Sequence, residues 1–386
     1  MRSKLPDIGT TIFTVMSQRA AELGAVNLGQ GFPDYDVDPL LTRCIHEALL
    51  AGAQQYAPMP GLPALRAIIG ERLARRHGLR IDPEHGITVT LGATEAIFSA
   101  IQALVGAGDE AIVFDPSYDS YDPAVRLAGA HCVHVPLAPP HFRPDWDQVR
   151  AALTPRTRLV VINSPHNPTC TCLTGADLDA LAALLRDRDC AVIADEVYEH
   201  MVFDGRAHAS VLAHAELRER SVAVYSFGKT LHATGLRVGY AVAPPALTAE
   251  LRKVHQFNTF TIATSLQAGV AGYLRQRPDT GADLPAFFQQ RRDFLLEQLR
   301  DSGWRLPPAA GSFFQLADYA ALADESDVAL AGRLLTEAGV ASIPPSVFYQ
   351  TPPRLTYLRL CFAKRAATLA EGAARLRRWA AGQRRT

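Results

Sequence analysis

Seven short apolar runs, separated by helical patterns and each closed by polar residues or a turn, constrain this chain more than any other feature. They are Ile87–Leu91, Ala111–Asp115, His131–Val135, Leu159–Asn163, Cys190–Asp195, Val222–Ser226 and Val238–Val242. Between them, Glu95 to Val105 and Gly175 to Arg186 carry apolar residues at helical spacing. A run that is apolar at every position needs cover on both faces. The pattern therefore predicts an α/β architecture, a largely parallel sheet held between helices. Chemistry in such sheets gathers at the carboxyl ends of the strands. Gly92-Ala93-Thr94, Asp115-Pro-Ser-Tyr118, Asn163 with Asn167, Asp195 and Ser226 occupy five of those ends. Caps and turns account for some polar residues there, but five together mark one edge of the sheet as a site.

A chain of 386 residues exceeds one ordinary core. The texture divides it into a turn-rich N-terminal arm over 1–40, a large unit over 41–285 and a smaller α+β unit over 286–386. In the last of these, a helix from Phe287 to Arg300, short strands at Ile343–Val347 and Tyr357–Phe362, and a closing basic helix are expected. Lys and Arg total 39, as do Asp and Glu, so no global field would draw the chain to nucleic acid or a membrane. The basic cluster Arg375, Arg377, Arg378, Arg384 and Arg385 reads as a solvated helix face and tail. No segment approaches the roughly 20 apolar residues of a membrane span. Met1–Pro6 lacks the apolar core of a secretory leader. The six cysteines are scattered as in a reduced compartment, so a cytoplasmic location is expected.

The sharpest local motif is Ser226-Phe-Gly-Lys229-Thr, followed by Gly235-Leu-Arg237-Val-Gly239. A lysine placed just after a buried strand loses water, and its amine becomes a nucleophile. Gly228-Lys229-Thr230 ends like a nucleotide-binding loop, but the opening glycine of that pattern is absent, which removes the nucleotide reading. The dinucleotide fingerprint Gly-x-Gly-x-x-Gly is also missing after the first strand of the sheet, so a nicotinamide dehydrogenase is disfavoured.

Asn167-Pro-Thr169, Asp195-Glu-Val-Tyr198, Lys229 and Arg359 occur in an order that resembles the class I and II aminotransferases of pyridoxal phosphate fold type I. The likeness runs from Gly29-Gln-Gly31 to Arg359-Leu-Cys-Phe-Ala-Lys364. More narrowly, Tyr56-Ala-Pro-Met-Pro-Gly61, Asp115-Pro-Ser-Tyr-Asp-Ser-Tyr121 and Pro140-His-Phe-Arg143 are similar to bacterial methionine aminotransferases, relatives of the kynurenine and glutamine transaminases. The resemblance implies pyridoxal 5'-phosphate held as a Schiff base on Lys229. It gives Asp195 to the ring nitrogen, Tyr198 and Asn167 to the ring's phenolic oxygen and Tyr118 to stacking. The phosphate falls to Ala93, Thr94, Ser226 and Arg237, joined by Tyr56 from a neighbouring subunit. A homodimer with shared active sites follows.

By the same resemblance Arg359 grips the substrate's α-carboxylate beside Asn167 and Gly31, while Phe13, Phe32, Phe260 and Phe314 shape the side-chain pocket. No second arginine matches a position that would bind a dicarboxylate. Methionine is therefore the expected amino donor, with aromatic amino acids and histidine behind it, in a ping-pong transfer to a 2-oxo acid. A cysteine-S-conjugate β-lyase on the same scaffold is the nearest alternative. A non-catalytic cofactor-binding regulator is disfavoured because Lys229 and Arg359 are both present. Two departures stand beside the ring: Cys170, where many relatives carry glycine, and His166, read as a turn residue.

Overall fold

The structure is a computed structural model and describes residues 3–383; Met1, Arg2, Arg384 and Arg385 lie outside the described residues. Its centre is a seven-stranded sheet in the order Ile87–Leu91, Val238–Val242, Ser221–Ser226, Ala191–Asp195, Thr157–Asn163, Glu110–Asp115, His131–Pro136. Val238–Val242 runs antiparallel to both neighbours, and the other strands point one way. All seven runs seen in the sequence are strands, with ends moved by a residue or two.

Both faces are covered, which is why the runs lack alternation. Leu159, Val161, Ile193, Val222 and Val224 pack under Ile97 and Ile101 of the helix Gly92–Leu104. The intervening Val160, Ile162, Val192, Ala194 and Tyr225 enter the opposite core with Leu178 and Leu181 of Gly175–Leu185. That second helix starts on a capping box between Thr174 and Asp177, which satisfies backbone donors at its first turn.

The arm is more ordered than its turn-rich sequence suggests. Thr11 caps a helix, Ile12–Glu22, and Val26–Asn27 pairs in parallel with Val340–Ala341. The amide of Cys361 donates to Leu28 O, tying the arm to the C-terminal strand pair. That pair is antiparallel, Phe314–Asp318 against Tyr357–Cys361. Phe314–Asp318 went unread because all five of its residues are buried and show no period of two. The strand expected at Ile343–Val347 is absent: Ile343 makes one bridge to Arg359, and Pro345–Phe348 is a 3-10 turn. Pro344 and Pro345 have no amide hydrogen to give a ladder. Helices Leu284–Gln298, Asp327–Glu337 and Ala366–Gln383 surround this layer.

Candidate active site

The carboxyl ends of the parallel strands open into a cavity of about 230 Å³. Phe13, Gly31, Ala93, Thr94, Tyr118, Asn167, Asp195, Tyr198, Ser226, Lys229, Arg237 and Arg359 all line it, as does Phe314. Those from the large sheet meet because its strands end on one edge, while Phe13, Gly31, Phe314 and Arg359 are brought by the arm and the C-terminal strand pair.

Asp195 closes its strand in register with Asn163 and is almost fully buried. Its carboxylate accepts hydrogen bonds from the Tyr121 hydroxyl at 2.6 Å and the Val197 amide at 3.3 Å. Burial opposes its charge more than these donors favour it, and its pKa rises to about 6. Tyr121 was not among the site residues read from sequence. The signal was its position three residues beyond Tyr118, and the rings meet edge-on at 5.7 Å. Asn163, also unassigned, donates to Asp195 O at 2.8 Å and accepts from the Asn167 amide at 2.8 Å, so it braces the loop that carries Asn167.

Lys229 sits in a single helical turn, Phe227–Thr230, directly after its strand. Its ammonium lies 3.4 Å from Gly31 O and 4.9 Å from the centre of the Phe313 ring. Burial disfavours the charged amine and lowers its pKa to about 8. Tyr198 stands beside it at 5.5 Å from ring centre to Nζ, and burial pushes its phenol well above the ordinary value.

At one end of the cavity the helix Gly92–Leu104 begins without a side-chain cap. Glu95 of the first turn takes the Leu91 amide at 3.1 Å, and the first-turn amides of Ala93 and Thr94 are left for an anion. Gly92 has φ +69°, and a Cβ there would sit 2.9 Å from Arg237 Nη2. Gly239 is equally constrained, since its Cβ would lie 2.6 Å from Gly92 C. The two glycines let Arg237 and its strand close on the helix terminus, where Arg237 Nη2 reaches Thr94 Oγ1 at 3.5 Å.

At the other end Arg359 is 1% exposed. It donates to Asn167 Oδ1 at 2.5 Å and Gly29 O at 2.7 Å, while its Nε has no partner. The guanidinium lies 3.9 Å from the Phe314 ring centre and 5.0 Å from that of Phe13. Burial lowers its pKa to about 10. No carboxylate among the described residues forms an ion pair with it. A buried cation held only by neutral acceptors is costly unless an anion joins it.

Phe32 and Phe260 do not line the cavity, and neither does Tyr56, which was expected to serve a neighbouring subunit. Tyr56 is 84% exposed and packs edge-on against Phe260 at 5.5 Å, on the outside of the cavity. Phe32 lies under the Lys364 ammonium at 4.6 Å and is also absent from the lining. His166 is buried against Thr169 Oγ1 at 2.7 Å, and burial drops its pKa to about 3. Cys170 takes the left-handed conformation glycine would favour, with φ 65°, and is buried.

The donor set suits pyridoxal 5'-phosphate. An uncapped helix terminus with Arg237 answers a phosphate, a buried carboxylate answers a ring N–H, and a lysine of lowered pKa answers a carbonyl. Arg359 remains for a second, smaller anion.

A family model described as aminotransferase class I and II matches residues 24–376. The chain is 50% identical over 376 residues to the methionine aminotransferase of Escherichia coli, covering 97% of each. A solved structure of an Escherichia coli methionine aminotransferase superposes with a TM-score of 0.96 at 49% identity, over 98% of this chain and 99% of that one. The N-succinyldiaminopimelate aminotransferase of Mycobacterium tuberculosis follows at a TM-score of 0.94 and 38% identity, over 98% of this chain and all of the other.

Proposed function

The chain belongs to the class I and II aminotransferases and uses pyridoxal 5'-phosphate, and from that premise we propose that it moves the amino group of methionine to a 2-oxo acid by a ping-pong mechanism. When bound, the cofactor supplies a carbonyl that condenses with amines and a cationic ring that draws electrons from the substrate's Cα. Ala93, Thr94, Ser226 and Arg237 would hold its phosphate, Tyr118 would serve its ring, and Tyr198 and Asn167 would donate to its phenolic oxygen. Asp195 would keep the ring nitrogen protonated, and Tyr121 holds Asp195 by its hydroxyl. Lys229 is the covalent anchor. With its Nζ uncharged and free, it would also take the substrate's Cα proton and later return it. Arg359, beside Gly31, orients the substrate by its carboxylate so that the Cα–H bond faces that amine.

The single observation that carries this reading is Arg359, a buried guanidinium without an anion, in the cavity that Lys229 lines. For the side chain, the cavity offers the Phe13 and Phe314 rings, and its two guanidiniums are already assigned, one to phosphate and one to carboxylate. No cation of this chain's lining is left for a second carboxylate, which favours a neutral, apolar or thioether donor. Tyr56 and Phe260, paired on the outer surface, would complete the site of a second subunit, so a homodimer is part of the proposal. Within each subunit we assign 1–40 as the arm, 41–285 as the cofactor unit and 286–386 as the smaller unit. The pairing of Val26–Asn27 with Val340–Ala341 supports grouping the arm with the last of these. Six cysteines without a disulfide support a cytoplasmic setting, and no helix among the described residues is long and apolar enough to cross a membrane.

The test is a half-reaction screen. Each amino acid is added to the cofactor-loaded enzyme, and the cofactor's absorbance change is followed. Methionine should convert it fastest, with aromatic amino acids and histidine slower. Conversion by aspartate with none by methionine would overturn the assignment. Release of pyruvate and ammonia without an oxo-acid acceptor would point to β-lyase chemistry instead.

A further inference from the structure

A second cluster of reactive side chains stands at the free edge of the sheet, outside the cofactor cavity. Cys132 and His134 lie two residues apart on the edge strand His131–Pro136, so both project to the same face. The helix Tyr121–Leu127 packs against that strand and presents Asp122. A sulfur, an imidazole nitrogen and a carboxylate oxygen from these three residues fall within 4.8 Å of one another.

The histidine carries the argument. Its Nδ1 is bonded to Asp115 Oδ1 at 2.9 Å, and Asp115 is itself anchored by the Gln350 amide at 2.8 Å. A carboxylate on one ring nitrogen is the arrangement that orients metal-binding histidines and leaves the other nitrogen to the ion. That other nitrogen, Nε2, is buried without a hydrogen bond, on a side chain only 10% exposed. It aims at Asp122 Oδ1, 3.5 Å away. Asp122 uses its second oxygen for Arg126 Nη1 at 3.2 Å, which leaves Oδ1 facing the His134 imidazole. A cavity of about 490 Å³, lined by Asp122, Cys132 and His134, leaves room for water as a fourth ligand.

We infer that Asp122, Cys132 and His134 form a binding site for a thiophilic divalent cation of the zinc type. One sulfur, one nitrogen and one oxygen ligand suit Zn²⁺ or Cd²⁺ and are a poor set for Mg²⁺ or Ca²⁺. Two anionic ligands balance the ion's charge, and Asp115 fixes the imidazole. The competing arrangement is an imidazolium bridging Asp115 and Asp122, with Cys132 a bystander.

The two are separated on the cofactor-loaded enzyme. Cd²⁺ is titrated while the thiolate-to-cadmium charge-transfer band is followed, and Zn²⁺ affinity is measured by calorimetry. The site predicts one saturable equivalent per chain. Cys132→Ser should remove the band, and both Cys132→Ser and Asp122→Asn should weaken Zn²⁺ at least tenfold, while the cofactor's absorbance reports that each variant is folded. No saturable band in the unaltered enzyme overturns the site in favour of the imidazolium bridge. So does a band that survives Cys132→Ser, or Zn²⁺ affinity that is untouched by Asp122→Asn. The titration of the unaltered enzyme decides the matter even if a variant fails to fold.

Discussion

Replacing Tyr121 with phenylalanine removes one hydroxyl and leaves the ring that packs in the core. That hydroxyl donates 2.6 Å to Asp195, a carboxylate whose pKa burial has already raised to about 6. A hydrogen bond to a buried charged group contributes about 1.5–3 kcal/mol. At 1.36 kcal/mol per pKa unit its loss should lift Asp195 by roughly one to two units. The ionised form, which holds the ring N–H, predominates above the folded pKa and is lost as pH falls through it. Cofactor affinity should therefore fall through about pH 6 in the parent, and one to two units higher in Tyr121→Phe. At pH 7 the ionised fraction would drop from about nine-tenths to between one-half and one-tenth, and apparent affinity with it by about two- to tenfold. The assay is titration of pyridoxal 5'-phosphate into cofactor-free protein from pH 5 to 9, read by absorbance. An unshifted acid limb in Tyr121→Phe would refute the reasoning. Equal weakening at every pH would do so too, since it would mean that Tyr121 serves packing alone.

Four further outcomes follow from the cavity. Lys229→Ala should abolish the visible band of covalently held cofactor. In the parent, the rate of covalent capture should rise with pH as the neutral amine forms, then level above about pH 8; a rise continuing to pH 10 would contradict the lowered pKa. Arg359→Lys keeps the charge but loses a buried fork bonded to Asn167 and Gly29. Steady-state kinetics should show kcat/KM for methionine down about 10- to 150-fold, from about 1.5–3 kcal/mol of lost hydrogen bonding. Gly92→Ala forces a side chain into positive φ and against Arg237. It should weaken cofactor binding about tenfold, at a strain of about 1–2 kcal/mol, with little change in the activity of fully loaded enzyme.

The chain by itself determined the sheet and the edge on which the site lies. A strand buried on both faces must be apolar throughout, and it can change to polar residues only where it leaves the core. Runs such as Leu159–Asn163 therefore announced both their burial and their exits. The resemblance carried by the order of their motifs singled out Lys229, Asp195 and Arg359, and all three line the cavity. What lay beyond the sequence is whatever depends on pairs distant along it. Tyr121 reaches Asp195 only because the helix that begins with Tyr121 folds beneath that strand's end. Phe260 lies outside the chain's own cavity, a fact no motif discloses. Phe314–Asp318 hid its strand because total burial erased its period. The burial that lowers the Lys229 pKa and leaves Arg359 without an anion is a property of the assembled core. Residue type names the chemistry, and only packing sets the dielectric and the neighbours under which that chemistry runs.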